Sequence, residues 1–122
     1  MPKMRSYRDL EVWQQAMHLA RMVYAIAPRL PRQETYVLSD QLRRAALSIP
    51  ANIAEGQGRR TDGAFARHID IALGSIAELE TLLQLAHDLG FFTQAEVAPI
   101  QTQVTRVRQM LYGLYRKLKP AS

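Results

Sequence analysis

Three histidines, His18, His68 and His87, and the hydroxyls of Ser39, Ser48 and Ser75 are the side chains that metal, acid–base or nucleophilic chemistry would recruit first. No histidine stands in a Glu-x-x-His or His-Glu-x-x-His pairing, and a carboxylate di-iron bundle needs two Glu-x-x-His motifs plus two inward glutamates. No serine has a histidine at a helical spacing that would serve as its base. Glu78 and Glu80 are two residues apart, so on a helix they point to different sides and do not work as a pair. Cysteine is absent, which removes disulfides, thiolate metal sites and a thiol nucleophile. The expectation is a protein that is not an enzyme and holds no metal or cofactor.

Glycine and arginine suggest a different chemistry. Gly56-Gln57-Gly58 resembles the start of a phosphate loop, but Thr61 stands where a dinucleotide fingerprint needs its third glycine. Gly58 and Gly63 have Walker spacing, yet Ala64 and Phe65 replace the lysine and hydroxyl residue. The stretch leads into a helix N-terminus beside Arg59 and Arg60. It reads either as a plain interhelix connection or as a generic anion-attracting arrangement.

The whole chain of 122 residues carries sixteen Lys+Arg against eleven Asp+Glu, a net charge of +5. That balance leans towards polyanions. Residues 1–67 and 97–122 each carry a surplus of five positive charges, whereas residues 68–96 carry five acidic groups and no basic one. The candidate nucleic-acid contacts are Arg43, Arg44, Arg59, Arg60, Arg106, Arg108, Arg116, Lys117 and Lys119. Only Tyr112 and Tyr115 interleave with the last basic run. This favours salt-dependent contacts to RNA or DNA backbone over stacking on bases. The alternative is a structural or protein-interaction module whose charges serve assembly or solubility. Both readings fit the cytoplasm. The first six residues are charged without an apolar run behind them, so no signal peptide is expected, and no apolar run approaches the ~20 residues of a membrane span.

The elements that position these groups are all helical by period. A first helix is expected over residues 8–27, with Ser6 as its cap and Pro28 and Pro31 closing it. A second should begin at 33–35 and reach about 55, its apolar face including Tyr36, Leu38, Leu42, Ala46, Ile49 and Ile53. Pro50 either kinks or breaks it, and the resumed periodicity at Ile53 favours a kink. Residues 56–63 read as a loop. Asn52 and Glu55 follow the proline; they either bond the backbone groups it frees, cap the helix end, or contact a ligand, and Pro50, Asn52, Glu55 and Gly56 together form a candidate structural motif. A third helix is expected over 62–89, capped by Thr61 or Asp62 and closed by Gly90. Thr93-Gln94-Ala95-Glu96 is a capping box. Behind it Val97, Ile100, Val104, Val107, Leu111, Leu114 and Leu118 alternate spacings of three and four, a bundle seam. Short connections make these an antiparallel, up-down-up-down four-helix bundle in a single domain, 1–122, with its core over about 7–118.

The first and third helices carry more apolar surface than one bundle core needs. Val12, Leu19, Val23, Leu82 and Leu85 are the candidate surplus; they read either as uneven packing with some exposed leucines or, the favoured reading, as a face for another copy of the chain.

The string as a whole resembles a known family. Its marks are Tyr7-Arg8-Asp9-Leu10-Glu11-Val12-Trp13, then Gln41-Leu42-Arg43-Arg44-Ala45-Ala46, then Ser48-Ile49-Pro50-Ala51-Asn52-Ile53-Ala54-Glu55-Gly56, with Gly74-Ser75 and Glu78-Leu79-Glu80-Thr81. Over about residues 7–118 the chain resembles the S23 family, the four-helix-bundle proteins encoded in intervening sequences of bacterial 23S ribosomal RNA genes. Its superfamily includes accessory variability proteins of diversity-generating retroelements. The resemblance implies a ring-like homopentamer, association with RNA or DNA in a ribonucleoprotein, and, in the retroelement branch, a reverse transcriptase as partner.

Overall fold

The computed structural model describes residues 6–119. The six N-terminal residues that argue against a signal peptide fall, apart from Ser6, outside that range. Among the described residues there are four α-helices and no strand: α1 Glu11–Ile26, α2 Asp40–Gly58, α3 Asp62–Asp88 and α4 Gln94–Leu118. Each packs on its sequence neighbour, and α1 also packs on α4, which closes the bundle. Their apolar stripes meet in one core built on Leu19, Leu42, Ile49, Ile53, Ile76, Leu79, Val104 and Leu111, all essentially inaccessible.

The start of the chain differs from the periodicity. Ser6 caps a 3-10 turn, Tyr7–Asp9, through a capping box with Asp9, and Leu10 is extended before α1 begins. The turn brings Tyr7 edge-on to Trp13 at 5.2 Å, with the Arg8 guanidinium 5.6 Å and 5.8 Å from the two ring centres. Cation–π contact over two aromatic rings explains why the helix yields one turn here.

The approach to α2 differs too. A 3-10 turn, Arg32–Glu34, and a π turn, Thr35–Ser39, precede it. The wider π turn shifts the register, so Leu38 reaches the core while Tyr36, expected on the apolar face, is 90% exposed. At its other end α2 runs on to Gly58, and the expected loop shrinks to the few residues around Arg60. The helix is continuous through Pro50.

The remaining boundaries follow their local signals. The Thr61 hydroxyl accepts from the Ala64 amide and caps α3. Gly90, at φ +80°, ends it in a Schellman arrangement, with the Phe91 amide donating to the Ala86 carbonyl and the Gly90 amide to that of His87. The Thr93–Glu96 box opens α4. Of the α4 seam, Val97 to Leu111 are buried, whereas Leu114 and Leu118 pack half-buried at the rim. Gln103, inside that seam, is buried and donates to the Gln15 carbonyl at 3.0 Å and to its side-chain oxygen at 2.9 Å, a tie from α4 to α1.

The surplus argument fails on α1. Val12, Leu19 and Val23 are buried within the single chain, because this series, with Ala16 and Ile26, is the face that α1 turns to its own bundle. The other series, with Trp13 and Met17 half-buried and Tyr24 exposed, is the outer one. On α3, Leu82 is half-buried against the same core, and Leu85 is 46% exposed, with Ile71 and Leu89 exposed on the same side.

Glu96 provides a pH probe of the fold. Hydrogen bonding from the Thr93 backbone, with help from Arg29, holds its carboxyl below the ordinary value of 4.5. A depressed folded-state pKa stabilises the fold above the unfolded value and loses that contribution as the pH falls through the folded one. Glu96→Gln keeps the capping bonds and removes the charge. The stability gap between the two proteins, read from urea midpoints, is expected to be widest at neutral pH and to close on acidification below the carboxylate range.

Candidate nucleic-acid interface

The antiparallel order brings the start of α1, the end of α2, the start of α3 and the end of α4 to one end of the bundle. A groove there of about 430 Å3 is lined by Leu10, just before α1, and by residues of the other three helices and the α2–α3 connection, including Gln57, Arg60, Phe65, Leu114 and Leu118. Arg8, Arg59, Arg60, Arg67, Arg116, Lys117 and Lys119 belong to this end, against Asp9, Glu11, Glu55 and Asp62. Basic charge predominates there.

The fold divides the nine basic candidates. Arg43 and Arg44 lie near the opposite end of α2, about 22 Å from Arg59 at 1.5 Å per residue, and both pair with Asp40, at 3.8 and 3.5 Å. Arg108 crosses to Glu80 of α3, so part of the acidic run of the third helix is matched by the basic fourth within the chain. These three therefore do not belong to a common surface with the rest. Arg106 is exposed midway along α4. Arg59, Arg60, Arg116, Lys117 and Lys119 remain together at the basic end; Arg59 donates to Glu55 at 3.1 Å across an exposed pair, and the Lys119 amine lies 5.8 Å from the Tyr115 ring centre. Exposed pairs of this kind hold a side chain weakly.

Arg60 has an unusual backbone. It sits at φ +67°, the left-handed region, which costs a non-glycine residue roughly 1 kcal/mol. Between glycine-rich neighbours, the residue that makes the reversal is an arginine and not a glycine.

Beside this end α2 and α3 touch closely. Gly56 is buried, and a Cβ there would meet the His68 Cβ at 2.7 Å and the Phe65 ring at 3.0 Å. Its role is close helix packing, which explains why α2 continues through a stretch that reads as loop. Asn52 donates to the Ser48 carbonyl at 2.8 Å and to the Ser48 hydroxyl at 3.0 Å, while its oxygen lies 3.0 Å from His68 Nδ1. Ser48 and Ser75 are hydroxyl to hydroxyl at 2.8 Å, and Ser75 donates to the Ile71 carbonyl at 3.3 Å. Pro50 has no amide hydrogen to donate to the Ala46 carbonyl, and neither Asn52, which turns to Ser48 and His68, nor Glu55, which turns to Arg59, supplies a replacement. Sequence spacing missed His68 as part of this network because its partners lie 16 and more residues away; the histidine and the asparagine share only a helix–helix seam.

Residues 8–113 match the family model of the 23S rRNA-intervening sequence protein, and the chain belongs to that family. Among solved structures it is similar to a protein of unknown function from the S23 ribosomal protein family of Bacteroides thetaiotaomicron. The two share 25% identity over 85% of this chain and 97% of that one, with a TM-score of 0.79. No curated protein matches in sequence. Among the described residues no three histidine, carboxylate or cysteine side chains gather as metal ligands, and no helix is long and apolar enough to cross a membrane.

Two substitutions test the seam. Gly56→Ala forces a methyl group into helix backbone and the root of His68, and is expected to destabilise by about 1–3 kcal/mol. Asn52→Ala leaves a half-buried imidazole without its acceptor and is expected to destabilise by about 1–3 kcal/mol. Urea unfolding midpoints at constant slope measure both.

Proposed function

We propose that this protein is a non-catalytic, self-associating helical bundle that binds the phosphate backbone of RNA or DNA through its basic end. The observation that carries this reading is the convergence of Arg59, Arg60, Arg116, Lys117 and Lys119 at one end of the bundle, while Arg29, Arg43 and Arg44 towards the other end are paired with carboxylates. The left-handed Arg60 supports it. Backbone held in a sparsely populated region is found where the side chain has work to do. The family's description, an intervening-sequence protein of 23S rRNA, sets RNA as the first polymer to try.

Self-association rests on a separate observation. Ile71, Leu85 and Leu89 are each about half exposed on one stripe of α3, and Leu82 flanks them. A second copy of the chain is the occupant that this stripe fits best, since one chain cannot cover it and burial of each leucine would stabilise by roughly 1.5–3 kcal/mol. A ring of five, the arrangement implied by the family resemblance, would set several basic ends side by side and multiply their contacts with one polymer.

Arg59→Gln with Arg60→Gln is expected to lower affinity for structured RNA at least tenfold while the particle size by light scattering is unchanged; loss of assembly with it would favour a purely structural module. Arg60→Gly relieves the left-handed backbone and is expected to stabilise by about 1 kcal/mol while weakening RNA binding. A gain in stability without loss of binding would remove Arg60 from the interface. Leu85→Glu is expected to reduce the particle towards the 13.9 kDa of the single chain, and a wild type already of that mass would end the self-association reading.

A further inference from the structure

We propose that Arg59, Arg67 and His68 form a pocket for a single phosphate group in the seam between α2 and α3. The inference rests on the nucleic-acid reading only for the source of that phosphate. A cavity of about 220 Å3 opens there, lined by these three residues and Ala64. It is smaller than the roughly 300 Å3 at which pockets for drug-sized molecules begin. Its size and its basic lining suit one phosphate group.

The imidazole is set in place by a relay of polar side chains. The Asn52 amide nitrogen is committed to Ser48, so its oxygen is the atom that faces His68 Nδ1 at 3.0 Å. An amide oxygen only accepts, and Nδ1 therefore carries a proton. Ser75 braces Ser48 from the α3 side. Gly56 lets the root of the histidine come within 2.7 Å of where a Cβ would stand, so the ring's position depends on a glycine there. Four residues of two helices thus orient a half-buried ring whose other nitrogen, Nε2, has no partner among the described residues.

The two arginines complete the chemistry. Arg67 has no hydrogen-bond or ion-pair partner among the described residues, and Arg59 is held only by its exposed pair with Glu55. Guanidinium groups present planar, paired donors that match phosphate oxygens. His68 adds a third donor at Nε2 once protonated. Towards a phosphate monoester that keeps one proton of its own, neutral Nε2 is instead the acceptor. The shared ligand chemistry is a tetrahedral phosphate, supplied either by a strand's terminal monoester or by an internal diester.

The experiment is a titration of the full-length protein with inorganic phosphate, following the His68 ring and the arginine Nε–H signals by NMR. A saturable shift of Arg59, Arg67 and His68 signals is expected in the wild type, and its loss in Arg67→Gln and in His68→Asn. Asparagine at 68 keeps an amide near the Nδ1 position and deletes Nε2; Arg67→Gln changes an exposed side chain and keeps the test valid even where the histidine variant unfolds. Each variant is expected to weaken RNA binding about tenfold or more with the unfolding midpoint of Arg67→Gln unchanged. Comparing one RNA with a 5′-phosphate and a 5′-hydroxyl assigns the source: tighter binding of the former means the terminal monoester, equal binding the internal diester. Absence of a saturable shift at these residues overturns the pocket, and does so even where RNA binds normally. Phosphate uptake at the pocket without any RNA binding keeps the pocket and sinks the nucleic-acid reading instead.

Discussion

The approach of α2 to α3 at Gly56 is the contact on which the rest of the basic end depends. No side chain larger than a hydrogen atom fits there, with the His68 Cβ 2.7 Å and the Phe65 ring 3.0 Å from a notional methyl. Because the helices close to this distance, Asn52 and Ser48 of one reach His68 and Ser75 of the other, and the polar seam is satisfied by direct hydrogen bonds. The same closeness shortens the connection to a few residues and forces its reversal through Arg60. Packing, hydrogen bonding and the placing of cationic groups are here one constraint.

Electrostatics follows from topology. An up-down-up-down order places the basic residues that follow α2 and those that close α4 at the same end, although more than fifty residues separate them in sequence. The acidic run of α3 is partly spent within the chain, since Glu80 holds Arg108, and at the far end Glu96 and Asp40 take up Arg29, Arg43 and Arg44. Arg32 and Arg106 are unpaired elsewhere among the described residues, but the closest grouping of weakly held cations, Arg59, Arg60, Arg116, Lys117 and Lys119, is left at one end.

Much of the architecture was legible because it rests on local signals. The Thr61 cap, the Thr93–Glu96 box, the Gly90 terminus and the Val97–Leu111 seam are each set by residues within a turn or two of one another. Where the reading failed, a distant partner decided. Val12, Leu19 and Val23 look surplus beside Trp13, Met17 and Tyr24 until the other three helices show which face of α1 they cover. Gly56 reads as loop until His68 stands against it. Arg108 counts as a free cation until α3 brings Glu80 alongside. Tyr36 looks buried until a π turn moves the register by one residue. Periodicity locates faces; it does not say which of two adjoining faces meets the core, nor which charges cancel across a seam.

The basic end is proposed to bind nucleic-acid phosphates as a cluster. The most direct measurement is the affinity for a structured RNA as a function of salt concentration. Neutralisation of four or more phosphates predicts a straight log–log plot with a slope of about −3 or steeper, at ~0.7 per contact on single strands. No binding at low salt, or an affinity indifferent to salt, would contradict it.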